Sequence, residues 1–153
     1  MKKLILGVLL TSAAFAARSA CTDPPAPKVD WRGCDKRGAQ IPDGAKLNGA
    51  NLSGADLRGA SLRFVNLTDA DLTKANLTKA NLVGADLSGS DLSRANLTDA
   101  NFYHANLSQV VFFGAAATRA NLMGANLAGA NASGAKWVDG TKTCAEGSIG
   151  VCK

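Results

Sequence analysis

Aromatic residues make up only 5% of this 153-residue chain, and His104 is its one histidine. So few large side chains exclude a wide, conventionally packed core. Ala and Leu must fill whatever interior exists, which calls for something thin and regular. One histidine, with no Cys-x-x-Cys pair, makes a poor metal set, so no metal and no cofactor is expected. An acidic surplus is also lacking: 17 Lys and Arg face 12 Asp and Glu, a net charge of +5. Among the glycines nothing resembles a phosphate-binding loop.

What is present begins with an export signature. Lys2 and Lys3 precede the short apolar run Leu4 to Leu10, and Ala14-Phe15-Ala16 is a small-x-small cleavage site. Residues 1–16 are therefore predicted to be a signal peptide. Cleavage after Ser19 is the rival, and a buried helix of the mature fold is the competing reading. The run is too short to span a bilayer, and no other segment is apolar enough, so no stable membrane insertion is expected after cleavage. Ser19-Ala20-Cys21 resembles the end of a bacterial lipobox, but Arg18 stands where that motif is apolar, which argues against a lipid anchor. The expected location is the periplasm or outside the cell. Loss of Lys2 and Lys3 lowers the net charge from +5 to +3, short of a nucleic-acid footprint, so no nucleic-acid partner is expected.

Cys21, Cys34, Cys144 and Cys152 form an even set, as in two disulfides of an exported protein. Three pairings are possible. The cysteines cluster two and two at opposite ends, which favours Cys21–Cys34 and Cys144–Cys152.

From Ala45 to Trp137 the chain repeats every five residues, in 19 units. Fourteen of the units have Leu at the centre; the others have Phe102, Phe112, Ala117, Ala132 and Trp137. Two residues earlier stands Ala in 16 units, otherwise Val65, Ser90 or Val110, and Asn or Asp mostly sits between. A period of five fits neither regular element. A helix would scatter the leucines around its circumference, and a strand would send successive ones to opposite faces. A coil that turns a corner at each unit fits, with Ala and Leu inward and the other three positions outward.

The pattern A-(D/N)-L-x-x resembles the pentapeptide-repeat family, over residues 45–137 without an insertion. The tail from Cys144 to Cys152 is also similar to the ends of some exported bacterial members. The resemblance implies an all-β fold, a right-handed quadrilateral β-helix (a β-solenoid) with four units per coil. Residues 20 apart then stack, and 19 units give a rod of roughly 23 Å at about 4.8 Å per coil. One inward ladder is Leu62, Leu82, Phe102 and Leu122. Small centres follow large ones or precede them, as with Phe112 and Ala132 or Ala117 and Trp137, and Trp137 is predicted to close the C-terminal end of the core. The Pro-containing segment 17–44 and the segment 138–153 are expected as end caps stapled by the disulfides.

Catalytic candidates are thin, and no enzyme is expected. His104 reads as a surface residue. Asp56, Asp71, Asp86 and Asp91 occupy the Asn/Asp slot, where short polar side chains bond nearby backbone. A carboxylate pair of Asp71 and Asp91 is conceivable from their stacking alone. The Asn-x-Ser/Thr triplets follow from the repeat. Departures on the outward positions are more informative. The slot after the centre reads Arg63, Val83, Tyr103, Met123 along one side, flanked by Phe64 and His104. Such an apolar stripe marks a protein partner's site, unless a cap or terminus folds over it. Val111 and Phe113 make a second, smaller patch.

The function expected is a non-catalytic exported scaffold or binding module for an unidentified protein. Two alternatives stand beside it. Some members of the family resemble DNA and bind topoisomerases, but basic charge and export disfavour this. A flat solenoid can also bind ice or an ordered surface, and here Thr78, Thr98 and Thr118 stack beside Asn76, Asn96 and Ala116.

Overall fold

The computed structural model describes residues 21–153. The expected signal segment and both cleavage points lie outside the described residues. Within them the backbone winds into stacked coils joined by single parallel bridges. From Lys46↔Asn66 to Ala116↔Lys136, every bridge joins residues twenty apart. With a turn in every five-residue unit, each coil has four sides.

The repeat follows from an accounting of backbone N–H groups. In the unit around Leu52, the Leu52 and Gly54 N–H groups donate to Asp71 and Thr73 of the next coil, at 2.7 and 2.8 Å. The Asn51 N–H donates to Val29 of the coil before, at 2.9 Å, and Ala55 N–H closes the turn onto the Leu52 carbonyl at 3.0 Å. One N–H is left, that of Ser53, and the Asn51 side-chain oxygen accepts it at 3.1 Å. All five donors are then satisfied, as a compact backbone requires. The Asn/Asp slot exists for that fifth bond. From Leu47 to Ala132 the residue two after each centre has positive φ, the condition of a type II turn, so glycine is frequent there. Ten non-glycine residues adopt the same left-handed conformation, Phe64 and His104 among them.

Inside, alanines and leucines form one continuous core. Leu62, Leu82 and Phe102 are fully buried, and Phe112 is 1% exposed. Leu122 and Leu127 are only partly buried, because no further coil stacks on them. Trp137 is also partly buried and meets Phe112 edge-on, with ring centroids 6.3 Å apart. It flanks the end of the core and leaves part of it uncovered, where full closure was expected.

The coils start ahead of Ala45. Asp30, Asp35 and Gln40 bridge Asn51, Asp56 and Ser61, each twenty-one residues on. One extra residue between the Ile41 centre and the Gly44 corner separates this register from the later one. Much of the segment expected as an N-terminal cap is thus itself coil, with Trp31 as a fully buried centre. Lys36 lies 3.8 Å above the Trp31 ring, and the Trp31 indole N–H donates to the Asp23 carbonyl at 3.2 Å. Cys21 and Cys34 lie at bonding distance at this end, S–S 1.97 Å, and Cys144 and Cys152 at the other, 2.07 Å. The C-terminal segment turns back across the last coil through antiparallel bridges, Lys136↔Thr143 and Asn131↔Ile149.

Candidate interaction surface

Twenty-residue stacking brings the expected stripe together on one side of the rod. Phe64 is 50% exposed and Met123 65%. Arg63 and His104 are exposed, and Val83 and Tyr103 are half-buried. Among the described residues, neither end segment folds over them. The column two residues after the centre reads Phe64, Gly84, His104, Gly124, alternating large and small. Each ring lies across the glycine of the next coil. A Cβ at Gly84 would come within 2.5 Å of the Phe64 ring, and one at Gly124 within 2.7 Å of His104. The rings therefore lie against the backbone and add broad apolar faces to the surface. Tyr103 stands edge-on to His104 at 4.1 Å, and the Arg63 guanidinium sits 5.3 Å from the Phe64 ring. Arg63 is also 4.0 Å from Asp43, a long exposed pair of little energetic weight.

The second patch is smaller. Phe113 is 49% exposed, and Val111 is half-buried in a slot that normally holds Asn or Asp. Phe113 borders an open depression of about 510 Å³ with Asn131, Ser133, Gly134, Cys144 and Glu146. Two exposed apolar residues escaped sequence reasoning, Ile149 and Val151 in the tail, 51% and 57% exposed. No periodicity places that tail.

The other candidates are tied to local structure. Asp71 and Asp91 accept the backbone N–H of Thr73 and Ser93, at 2.9 and 2.8 Å. The Thr78 and Thr98 hydroxyls each donate to their own Asn neighbour at 2.7 Å. Asp30, Asp35 and Asp56 each hold the arginine two residues on. The Arg37 side chain and then its backbone N–H hold the Asp35 carboxyl down to about 2. Among the described residues no cluster of side chains could hold a metal ion, and no helix is long and apolar enough to cross a membrane.

The five-residue units, the twenty-residue stacking and the Asx-bonded corners define a pentapeptide-repeat solenoid. The pentapeptide repeats model matches residues 43–73, 75–112 and 105–136, more than half of the chain, in 8 copies. The chain belongs to the pentapeptide repeat family, whose fold is the right-handed quadrilateral β-helix. Among solved structures it is similar to a pentapeptide repeat protein of the Arabidopsis thaliana thylakoid lumen, at 31% identity over 67% of each chain with a TM-score of 0.45. It is also similar to QnrB1, a plasmid-mediated fluoroquinolone resistance protein, at 20% identity, 67% of this chain, 59% of that one and a TM-score of 0.42. HetL of the cyanobacterium Nostoc, involved in heterocyst differentiation regulation, is 28% identical over 76% of this chain and 67% of its own, with a TM-score of 0.31. No curated protein matches the chain.

Proposed function

We propose that this protein is an exported, non-catalytic binding module that holds a protein partner on the stripe of Phe64, Val83, Tyr103, His104 and Met123. The observation that carries the reading is the exposure of this stripe: Phe64 and Met123 are at least half exposed, and no part of the described chain covers them. Apolar surface that a rigid rod keeps in water marks a partner's place. Two cysteine pairs at bonding distance fit the oxidising compartment that the signal-like N-terminus predicts. Lying flat on glycine, the rings are already ordered before a partner arrives, which lowers the entropy cost of binding.

The ordered-surface alternative is weakened because the Thr78 and Thr98 hydroxyl protons are spent on Asn76 and Asn96. A DNA-like role fits poorly with a net charge of +5. The test is capture from a periplasmic extract with mature protein, beside a Val83→Ser/Tyr103→Ser/Met123→Ser variant. A partner held by the first and lost by the second is the expected result. Equal capture by two folded proteins, or none by either, removes the stripe as the binding site.

A further inference from the structure

The two cysteine pairs close ends of unlike build. At the N-terminal end the chain between Cys21 and Cys34 is held by the coils themselves. Trp31 is fully buried there, and the Lys28, Trp31 and Gly33 N–H groups donate to Asn48, Asn51 and Ser53 of the next coil, at 2.9, 2.8 and 2.9 Å. At the C-terminal end residues 145–153 lack such an anchor. Ser148 is their one fully buried residue, and the two large apolar side chains, Ile149 and Val151, are exposed. Among the described residues three hydrogen bonds tie this segment to the rod. Ala132 N–H donates to Ser148 at 2.8 Å, Gly150 N–H to Ala130 at 2.7 Å, and Gly147 N–H to the Ser133 hydroxyl at 3.1 Å. A Cβ at Gly150 would lie 3.4 Å from the Leu127 carbonyl oxygen, so the segment also reaches the neighbouring side. Its other bonds are internal, from Ala145 N–H to Lys153 and from Lys153 N–H to the Ser148 hydroxyl.

Buried apolar surface therefore contributes little to holding residues 145–153, and a terminal stretch with so few bonds frays unless it is restrained. The Cys144–Cys152 pair is the restraint. Cys144 is itself fixed on the rod, 3% exposed, with its N–H donating to Ala135 and its carbonyl accepting from Gly134, both at 2.9 Å. Tying Cys152 to that fixed point removes most of the freedom that the segment would otherwise regain. Beneath the segment lies Ala132, a small centre stacked above Phe112, and both are buried. Phe113 stands exposed beside them.

We propose that the Cys144–Cys152 disulfide is a redox-operated latch: its reduction by a dithiol releases residues 145–153 and joins the Ala132 end of the core to the Phe113 patch as one apolar surface. The Cys21–Cys34 pair is a brace, whose loss leaves the first coil in place. One thiolate of the dithiol attacks the sulfur of Cys152, the more open residue of the two. The Cys144–Cys152 bond breaks as the mixed disulfide forms, and Cys144 leaves as a thiolate and takes up a proton. The second thiol of the dithiol, deprotonated, then displaces Cys152, which takes up a proton in turn. The dithiol ends as a disulfide, and two electrons and two protons have passed to the protein. The latch uses none of the stripe residues and does not rest on that reading.

The test uses a Cys21→Ser/Cys34→Ser variant, in which Cys144–Cys152 is the one disulfide, so that dithiothreitol acts on it alone. Peptide mapping follows the bond, and amide exchange follows the segment. Reduction should speed exchange at Ala132, Gly147 and Gly150 at least about tenfold, leave Leu87 and Leu97 unchanged, and be reversed by reoxidation. Cys144→Ser/Cys152→Ser should show the same fast exchange without any reductant. Protection of the three amides that survives reduction overturns the proposal. So does exchange that rises at Leu87 as well, because the bond then supports the whole rod. Loss of Leu87 protection in Cys21→Ser/Cys34→Ser before any reductant, or a Cys144–Cys152 bond that never forms, also overturns it.

Discussion

Each position of the five-residue unit answers one physical demand, so departures from the unit show where a demand goes unmet. Ser90 stands where nearly all units have Ala. Its hydroxyl is fully buried and is the one buried side-chain polar atom without a partner among the described residues. Burying a hydroxyl without a hydrogen bond is costly, and an alanine methyl fills the same slot in the coil before, at Ala70. Ser90→Ala should therefore stabilise the fold by about 1 kcal/mol. Thermal or denaturant unfolding beside the parent measures this directly. A loss of stability would mean that the hydroxyl finds a bond, for instance to a buried water. Val111 departs differently. It cannot accept the Phe113 N–H as Asn or Asp would, and that N–H is left at an exposed corner beside an exposed ring. Such positions contribute little to stability, which frees them for contact with other molecules.

At the scale of the coil, stability depends on filling a narrow interior with one centre per side. Phe112 is 1% exposed, lies between Leu92 and Ala132 in its ladder, and meets Trp137 edge-on. Truncation there removes a large ring from a core that has only small side chains with which to close the gap. Phe112→Ala should cost about 3–5 kcal/mol, measured by denaturant unfolding. A loss below about 1 kcal/mol would contradict its burial. The register of these ladders was legible from Ala45 onward, because Ala and Leu mark the slots so regularly. The first coil was not. There Val29, Cys34 and Ala39 hold the alanine slot and Trp31, Lys36 and Ile41 the centres, and one extra residue between Ile41 and Gly44 breaks the period. Their five-residue spacing, with Asp30, Asp35 and Gln40 between, was the available signal. The stripe could be placed from the sequence because it needs only the register. Its exposure could not, since that depends on where the ends of the chain go. Nor could the seating of Phe64 and His104 on glycine, which needs the left-handed corner to aim each ring along the rod.

A solenoid is held together from neighbour to neighbour, so a local weakness frays the rod from that point. The acid-sensitive contacts of this molecule crowd at one end. Asp30–Arg32, Asp35–Arg37 and Asp56–Arg58 all lie in the first coils, joined across them by Arg37 and Asp56 at 3.8 Å. In each, the hydrogen bond from the arginine side chain holds the carboxyl below its ordinary value of 3.8, for Asp35 down to about 2. A carboxyl with a lowered folded pKa stabilises the fold above its unfolded pKa, and this contribution is lost as pH falls through the folded value. The window therefore runs from about 4 down to about 2. Toward the C-terminus the comparable groups are Asp99, beside Arg119, and Asp139, which accepts the Lys142 and Thr141 backbone N–H groups. These groups are exposed or, for Asp56 and Asp99, half-buried at the surface, so each effect is small and screened by salt. Their position makes them readable all the same. Acidification across the window should raise amide exchange, taken relative to the intrinsic rate at each pH, at Trp31, Cys34 and Lys36 before it does so at Leu87 in the middle of the rod. Arg37→Gln should start from faster exchange at this end and show a smaller further rise in acid, because Asp35 then titrates nearer its ordinary value in both states. Exchange that rises evenly along the rod, or an unchanged response in Arg37→Gln, would show that general positive charge governs the acid behaviour and that the paired carboxylates do not.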